Sequence, residues 1–519
     1  MTVEDETTAR AAGAPMTHRQ ILQALSGLYL GIFVAILSST IVTNALPTIV
    51  ADLHAGQSVY TWVITATLLS TTVSSPVWGK LADLVSKKLL IQASLVIFTA
   101  GSVLSGLSSG AGLLIAARVV QGIGAGGLLA LIQVIIATMI PPRELGRYSG
   151  YFGAVFAVGT SAGPLIGGLI VDTSWLGWRW CFFVGAPFAV VALIVLQKTL
   201  NLPVVKGSVK VDWAGAALLT GAASLLLIWV TLAGSDYAWF SWQTGAMLGG
   251  ALVLSLAFVA VERRAHAPVL PLWLFRTRTV VLAITAGLAI GVALYSATTY
   301  LSQYFQLAQG ESPTMAGILA LPQILGLALA STVAGRIITV TGRWKPFLVG
   351  GTVLIAAGLA LLGFTRHDTP YWYLALAMGL LGLGLGTTLQ NLVLAVQNEV
   401  SPAELGVASS SVSFFRTLGG TLGVSAFGAV LAGEVGHLVT GGLAKLGIPV
   451  TAGGVSLSRP AELAAPVRAV VEDAYGQATG TIFRYALPLA LVALVCVLFI
   501  REVPLRTSNA VVTGQEERL

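Results

Sequence analysis

Charged residues are scarce in this chain, and their scarcity excludes a soluble protein. Of the 519 residues, 9% are Asp, Glu, Lys or Arg, 56% are hydrophobic, and the mean hydropathy is +0.87. A soluble domain could not hide that much apolar surface from water. Cysteine is nearly absent as well. Cys181 and Cys496 lie far apart in sequence, a pattern that favours neither a disulfide framework nor a metal site.

Motifs for ATP hydrolysis and for enzymatic chemistry are also missing. Gly79-Lys80 is followed by Leu81 instead of Ser or Thr, so the loop that cradles nucleotide phosphates is absent. No nucleophile stands near a base at a usable spacing, and the five His residues are scattered. The sequence therefore predicts no enzyme, no cofactor and no metal. An ion gradient, or the substrate's own gradient, would drive any transport unless another subunit does so.

Long apolar stretches fill the chain instead. Fourteen of them, each near the length of a bilayer-spanning helix, follow one another from Ile21 to Ile500. Inside a bilayer the backbone must satisfy its own hydrogen bonds, which leaves helices or closed barrels. Barrel strands alternate in polarity, and these runs do not, so we predict an all-α integral membrane protein. The predicted spans are 21–47, 59–78, 89–109, 111–139, 149–171, 181–199, 213–233, 244–261, 279–306, 314–338, 346–365, 371–396, 404–432 and 480–500.

Positive charges fall in alternate gaps between the spans. The short outer loops hold Arg179 and Arg366, whereas the predicted inner segments hold 20 Lys and Arg residues. Because basic loops stay on the cytoplasmic side, both termini of this multi-pass protein are predicted in the cytoplasm, with the spans in the cell membrane. The same bias accounts for the net charge of +7 without a nucleic-acid partner. Residues 1–20 are predicted as a retained tail, since the first span is too long for a signal-peptide core.

A loop motif occurs twice in the chain. The loop after span two (79–88) and the loop after span ten (335–343) each place a small residue at a helix end before basic residues. With these loops the chain resembles the major facilitator superfamily, whose two six-helix halves each carry such a loop between their second and third helices. The resemblance implies a major facilitator fold with 14 transmembrane helices, in which a two-helix hairpin is inserted between the two six-helix halves.

Further motifs follow one another in the order found in one branch of that superfamily. The chain is similar to the fourteen-helix drug:proton antiporters, a family of multidrug exporters, and the span-five segment looks like the antiporter motif of exporters. Five such motifs in the right order are far more specific than any one alone. The matching segments are 118–127 in span four, 159–168 in span five, 178–187 at the entry to span six, 312–322 in span ten and 415–420 in span thirteen.

This resemblance also implies a division of the chain. The predicted units are cytoplasmic tails at 1–20 and 507–519, six-helix halves at 21–200 and 278–506, an inserted hairpin with flanking loops at 201–277, and an extracellular loop at 432–479.

The extracellular loop contains an amphipathic run at 463–475. This segment is expected to fold over the outer mouth or to lie at the membrane interface.

Arg118 and Asp83 are the main predicted coupling and gating residues. A guanidinium costs at least a few kcal/mol at the membrane centre, so Arg118 should face a polar cavity or a partner, for which Gln121 is best placed on the same helix face. The alternative is that Arg118 snorkels from the outer helix end. Asp83 could cap a helix or pair with a base in one conformation. Gly79 and Lys87 belong to the same loop, although Lys87 fits the positive-inside rule equally well.

Span five carries a glycine at every fourth position. Gly159, Gly163 and Gly167 form a smooth face on which another helix can pack closely, and Pro164 removes one backbone hydrogen bond and permits a bend. Tight packing and a gating hinge explain this pattern about equally well. The resemblance implies that this helix faces the other half of the protein, where the two explanations could coincide.

Two positions depart from the family's pattern. Ser86 replaces the glycine usual in the loop after span two, and Ser38 stands in span one where relatives typically have an aspartate with a protonation role. A serine cannot carry a proton at neutral pH, and no Asp or Glu lies deep in any predicted span. Either a boundary carboxylate serves, or proton coupling is weak, absent or carried by charge on the substrate.

Polar residues at helical spacing outline a candidate substrate cavity. Stripes of such residues run along spans nine and thirteen, although helix-to-helix hydrogen bonding explains them equally well. The candidate cavity residues are Ser38, Asn44, Trp62, Tyr295, Thr299, Gln306, Gln390, Ser413 and Arg416.

The sequence thus predicts a secondary exporter of amphipathic or cationic small molecules that works by alternating access, and the resemblance implies proton antiport. The alternative is a flippase or exporter of lipids or lipid-like metabolites, for which the missing acid in span one is less surprising. A non-transporting sensor would need a large soluble signalling domain, which the sequence lacks. The predicted partners are a small-molecule substrate, protons and the lipid bilayer, while the sequence specifies neither the substrate, nor protein partners, nor the oligomeric state.

Overall fold

The computed structural model describes residues 18–53, 57–173, 175–200, 212–233, 237–265, 268–401, 404–448 and 463–506. The predicted terminal tails and much of the predicted outer loop therefore lie outside the described residues. Within them the chain forms 16 α-helices, one 3₁₀ helix at Leu272–Arg276, and no strand. The helices are α1 His18–Asp52, α2 Gln57–Leu84, α3 Lys87–Gly106, α4 Ala111–Met139, α5 Pro142–Asp172, α6 Trp180–Phe183, α7 Gly185–Thr199, α8 Trp213–Leu232, α9 Trp242–Glu262, α10 Arg278–Leu307, α11 Pro313–Leu319, α12 Leu321–Thr341, α13 Lys345–Leu362, α14 Tyr371–Glu399, α15 Leu405–Lys445 and α16 Ala465–Phe499.

The helices confirm the all-α prediction and match the 14 predicted spans. Two spans are interrupted: α6 with α7 forms the sixth, and α11 with α12 forms the tenth. Pro187 and Pro322 lie in the first turns after these breaks, where a missing N–H is tolerated because it has no intrahelical partner.

Thirteen segments of the described chain are long and apolar enough to cross a membrane, and α2 is not among them. Helix α2 is rich in Ser and Thr, and several of its hydroxyls donate to the carbonyl four residues earlier, as Ser70 does to Ala66 and Ser75 to Thr71. These bonds satisfy the hydroxyls within the helix, which explains how a polar sequence is accommodated at this position.

Buried apolar side chains collect in two regions. One set of cores lies among α1 to α7, and a separate core lies among α10 to α16, with Ala137 of α4 as its single buried residue from the first group. Between the groups, α5 packs along α12 and α2 packs along α15. These two contacts set the relation between the helix sets and place the candidate site at their boundary.

The hairpin α8–α9 lies over one side of that boundary. Its first helix packs on both α2 and α15, and an apolar cluster joins Ala223 and Leu227 of α8 to Phe414 and Leu418 of α15. The second helix exposes many apolar side chains, among them Leu252 at 61%, as expected for a surface that faces lipid. The hairpin therefore touches α2 and α15, one of the two helix pairs that connect the sets.

The last two helices are longer than the sequence predicts. Helix α15 has 41 residues, about 60 Å at 1.5 Å per residue, and α16 begins at Ala465 instead of near 480. The amphipathic run at 463–475 is thus mostly the first part of α16, not a separate interfacial segment. Val435, Val439 and Leu443 are buried along one face of α15. Side-chain burial along this face keeps a glycine-containing sequence helical where hydropathy alone indicates a loop.

Candidate functional site

A carboxylate at the end of α2 joins the two helix sets. Asp83 accepts the backbone N–H of Gly406 through Oδ1 and that of Val407 through Oδ2, both at 3.1 Å. These N–H groups belong to the first turn of α15, where they have no intrahelical acceptor and where the helix dipole favours a negative charge. Asp83 therefore caps a helix that lies more than 300 positions away in sequence.

Gly79 lies one turn before Asp83 and against the same helix. A β-carbon on Gly79 would overlap the Ser410 hydroxyl and would lie 3.1 Å from the Gly406 carbonyl oxygen. Glycine thus permits α2 and α15 to meet at backbone distance. We call this contact the inter-half latch, defined by Gly79 and Asp83 on α2 with Gly406, Val407 and Ser410 on α15.

Asp83 lies beyond the predicted end of span two, and its pKa is raised to about 6. Burial disfavours the charged carboxylate, and this effect exceeds the opposing attraction of Lys87 and Lys80 and the two N–H hydrogen bonds. Lys87, predicted as a gating residue, begins α3 and makes no ion pair within 4.0 Å in the described part of the chain. Its charge acts on Asp83 from a distance.

The turn after α2 does not need the family's glycine. Ser86 has φ −52°, and its hydroxyl accepts the backbone N–H of Leu89 at 3.5 Å as the N-cap of α3. In the second copy of the loop, Gly342 ends α12 with a left-handed φ of 72°, a conformation that favours glycine. The two copies therefore turn by different means, and serine fits the first.

Arg118 is buried inside the first helix set. It is 4% exposed, its Nη1 donates to Gln121 Oε1 at 2.5 Å, and its Nε donates to the Val63 carbonyl at 3.3 Å. The predicted pairing with Gln121 is present, and a guanidinium this deep in protein does not snorkel to the surface.

Neither Arg118 nor Arg416 has a carboxylate within 4.0 Å among the residues that the structure describes. In the described ranges the ion pairs are Arg179–Asp52 at 3.7 Å and His367–Asp473 at 3.0 Å, and all four residues lie at the end of the bundle opposite the latch. The interior therefore carries positive charge without a carboxylate partner. No cluster of three or more potential metal ligands occurs among the residues that the structure describes.

A small cavity lies between the two sets. Its volume of about 30 Å³ would hold a water molecule but no drug-sized ligand. Gln390, predicted as a cavity residue, lines it together with Gln397, which shares a face of span twelve with Gln390. Four further polar residues of the lining were not selected from the sequence, namely Tyr29, Gln133, Tyr148 and Asn391. An isolated Gln in an apolar run was the available signal for Gln133.

The predicted stripes on spans nine and thirteen face each other. The ring of Tyr295 on α10 packs on Gly420 of α15, where a β-carbon would lie 2.8 Å from the ring carbon Cγ. Thr299 is partly buried, and Gln306 donates to the Ser302 hydroxyl at 3.1 Å on the same helix. This part of the predicted cavity is a helix contact in the present conformation.

Ser413 and Arg416 differ in their surroundings. Ser413 is 2% exposed, and its hydroxyl has no hydrogen-bond partner in the described chain, whereas Arg416 is partly buried. A buried hydroxyl without a partner is costly and is available to a ligand or a water molecule.

The span-one and span-two candidates do not join this cavity. Ser38 is 1% exposed and lies against Gly185, where a β-carbon would stand 2.6 Å from its hydroxyl, so it faces the break in the sixth span. Its hydroxyl has no partner among the described residues. Trp62 is partly buried on α2. The side chains of Asn44 and Pro164 lie outside the described residues.

The glycine face of α5 packs within one helix set. A β-carbon would lie 3.0 Å from Ile36 at Gly159, would meet Thr40 at Gly163 and would lie 3.2 Å from the Ile41 carbonyl oxygen at Gly167. All three partners are on α1. The helix as a whole does face the other half, as expected, since α5 packs along α12. Its glycine contacts with α12 are made by Gly150 and Gly153 on a different face, so the glycine face that packs on α1 and the face toward the other half do not coincide.

Comparisons with known sequences agree with this architecture. The family model described as Major Facilitator Superfamily matches residues 28–424. An uncharacterized MFS-type transporter of Mycobacterium tuberculosis is 35% identical over 505 residues, which cover 96% of this chain and 72% of that protein. The multidrug transporter protein MdtP of Bacillus subtilis is 34% identical over 417 residues, which cover 80% of this chain and 76% of that protein.

Solved structures share the fold at low sequence identity. The proton:xylose symporter XylE superposes with a TM-score of 0.63 at 13% identity, covering 94% of this chain and 97% of that one. The human organic anion transporter MFSD10 superposes with a TM-score of 0.58 at 14% identity, covering 91% and 99%. At such identities the likeness concerns the fold alone.

Proposed function

Because this chain belongs to the major facilitator superfamily, as the match over most of its length shows, we propose that it exports amphipathic small molecules by proton antiport. Membership confirms the resemblance drawn from the motifs, and it makes the chain a multi-pass membrane transporter and not an enzyme. Relatives named as multidrug transporters or efflux pumps are 30 to 34% identical to it, which supports export as the direction.

The inter-half latch is the observation that carries the proposal. Alternating access requires contacts between the two halves that form in one state and break in another. The Asp83 bonds to Gly406 and Val407 cross from one helix set to the other and use N–H groups that water can satisfy when the sets separate. Such a contact can be exchanged for solvent at small cost, as a gate requires.

The latch lies at the end of the bundle that carries the basic loops. With both termini in the cytoplasm and the spans in the cell membrane, as the positive-inside rule predicts, the latch closes the cytoplasmic side. The cavity of about 30 Å³ lies between the same two helix sets, and a substrate enters from the cell interior after the latch opens.

Arg118 is proposed to couple transport to protonation. Its guanidinium is held by a neutral amide and a backbone carbonyl, and no carboxylate of the described ranges pairs with it to neutralise it permanently. A charge in this setting responds strongly to a proton or to a charged substrate that arrives nearby. Because the interior charge is positive, neutral or weakly basic amphipaths fit better than permanent cations, which narrows the predicted class of amphipathic or cationic substrates.

Proteoliposomes that contain the purified protein test this function. Efflux of a panel of neutral and cationic dyes is measured with and without an imposed pH gradient, for the intact protein, for Arg118→Ala and for the control Arg501→Ala, whose side chain is exposed. Export that requires both the gradient and Arg118 supports the proposal. Undiminished export by Arg118→Ala would refute the role of Arg118, and export that ignores the gradient would refute proton antiport.

A second function is favoured by one observation. Ser38 replaces the acid typical of relatives and is buried against Gly185, so span one offers no protonation group. A flippase or exporter of lipids or lipid-like metabolites with weak proton coupling needs none. Movement of fluorescent lipids in the same vesicles without a gradient, together with no dye export, would select this alternative.

A further inference from the structure

The base of the hairpin holds two carboxylates side by side. Asp212 is the N-cap of α8, and its Oδ1 accepts the backbone N–H of Gly215 at 2.9 Å. Glu262 ends α9, and its Oε1 accepts the N–H groups of Val269 and Leu270 at 3.0 and 3.2 Å. Both acids border Gly215, where a β-carbon would overlap Asp212 Oδ2 and lie 3.1 Å from Glu262 Oε1. Each acid caps a different backbone segment, and the two meet at one point.

The second oxygen of each carboxylate is buried without a hydrogen-bond donor. Glu262 is 4% exposed, and neither its Oε2 nor Asp212 Oδ2 has a partner within the described ranges. A buried oxygen of this kind is costly, and more so when it is charged. Two ionised carboxylates this close also repel each other. One proton held by the pair removes a charge and turns one carboxylate oxygen into a hydrogen-bond donor.

A lysine of α2 lies near this pair. The Lys80 ammonium is close enough to attract the Glu262 carboxylate, although no ion pair within 4.0 Å forms between them. Asp212 repels an ionised Glu262 more strongly than Lys80 attracts it. Helix α8, which Asp212 caps, packs on α2, the helix that carries Lys80. Lys80 stands between Gly79 and Asp83, the two α2 residues of the latch. The acid pair therefore has an electrostatic connection to the turn of α2 that carries the latch.

We propose that Asp212 and Glu262 form a proton-binding site at the base of the hairpin, and that its protonation biases the inter-half latch through Lys80. The pair carries one negative charge with the proton bound and two after the proton leaves, so the doubly ionised pair attracts Lys80 more strongly. Lys80 moves with the turn that holds Gly79 and Asp83. The proton site itself stands on the geometry of the hairpin, while its link to export rests on the proposed function.

Infrared spectroscopy of the full-length protein in lipid tests the site directly. A protonated carboxyl has a carbonyl band distinct from those of a carboxylate, and the pH at which the band disappears reports its proton affinity. We expect Glu262→Gln to remove one such band. Asp212→Asn, which keeps a good N-cap, removes a like charge and should move the titration to lower pH. Lys80→Gln removes a positive charge and should move it to higher pH.

The exposed acid Glu144 supplies the matched control, since Glu144→Gln removes a carboxyl on the same side of the protein and should leave the buried band unchanged. Persistence of every buried carboxyl band in Glu262→Gln would overturn the site. Displacement of the band by Na⁺ or K⁺ at constant pH would also overturn it, in favour of a metal cation. If Glu262→Gln fails to fold, the opposite shifts in Asp212→Asn and Lys80→Gln decide, and two shifts of equal sign contradict the proposal.

The link to the latch has its own measurement. Spin labels at the exposed positions Val85 and Ser401 report the separation of α2 and α15, and Asp83→Asn removes the titration of the latch itself. We expect the remaining pH dependence of this distance to vanish when Glu262→Gln is added. If the distance still depended on pH in the double variant, the proposed effect of the acid pair on the latch would be refuted, whereas the proton-binding site itself would not. Neither readout requires a transported substrate, so a failure of the export proposal is seen separately.

Discussion

Asp83 Oδ1 accepts the backbone N–H of Gly406 at 3.1 Å, and this bond connects positions 323 apart in sequence. The bond lies between two helices that belong to different hydrophobic cores. Side chains within either core cannot separate without unfolding, whereas this contact can open into water. Substitutions at this contact should therefore change the conformational equilibrium without unfolding the protein.

Asp83→Ala should open the latch. The variant leaves the N–H groups of Gly406 and Val407 without their acceptor, and loss of an N-cap costs about 1 kcal/mol, which corresponds to roughly a fivefold rise in the open population. Distances between spin labels at Val85 and Ser401 measure this population. Asp83→Asn keeps an acceptor and should stay mostly closed. An Asp83→Ala protein with the wild-type distance distribution would show that the contact does not hold the gate.

Acidification through pH 6 should close the latch. The pKa of Asp83 is about 6 in the closed form because the carboxyl is buried, and it should return to about 3.9 when the open form admits water. The closed form then binds more protons between these values, so falling pH stabilises it relative to the open form.

The pKa difference at face value gives roughly a tenfold decrease in the open population between pH 7.5 and pH 5. We expect roughly a threefold to fivefold decrease, because solvent screens the charge at this partly buried site. The same label pair provides the measurement. In Asp83→Asn the part of the pH dependence that comes from titration of Asp83 should be absent. If acidification instead opened the latch, and did so only with Asp83 present, the pKa of Asp83 would be lower in the closed form than in the open form. That result would contradict the prediction.

Gly79→Ala should also open the latch, for a steric reason. The new methyl group would overlap the Ser410 hydroxyl, and such overpacking costs about 1–3 kcal/mol. Ser410→Gly removes the obstructing side chain, so the double variant should close again. A double-mutant cycle on the label distances gives the coupling energy, expected at 0.5–3 kcal/mol for residues in contact. Additive effects would mean that the two residues do not meet in the membrane.

Gly163→Ala should lower stability, whereas Gly153→Ala should shift the conformational equilibrium. The first substitution places a methyl group against Thr40 within one helix set, and the second places it 3.0 Å from Ala328 Cα in the other set. Thermal unfolding of the detergent-solubilised variants, compared with the label distances, separates the two effects. An unchanged melting temperature for Gly163→Ala, with impaired export, would restore the hinge interpretation of this glycine.

Much of the fold could be predicted from the sequence because hydropathy acts locally. Each apolar run meets the bilayer on its own, so span number and helical class follow from length and composition. The predicted end of span thirteen differs from the structure because Val435, Val439 and Leu443 are buried along one face of α15, which continues as a helix beyond that boundary. Their neighbours are glycines, which in isolation indicate a loop.

The candidate site was only partly predictable. The Arg118–Gln121 pair follows from a spacing of three residues on one helix, and local spacing is visible in sequence. The partners of Gly79 and Gly163 are far away along the chain, and a glycine pattern states that a helix packs closely without stating which one.

The sequence by itself determined the membrane class, the number of spans, the distribution of charge and the family, since each depends on residue type and order. Tertiary structure alone decided that Asp83 caps α15, that the glycine face of α5 lies on α1, and that Asp212 meets Glu262 beneath the hairpin. The physical reason is that such contacts depend on how helices are packed in three dimensions. The bilayer orients each span, but only contacts between side chains and backbones select its neighbours.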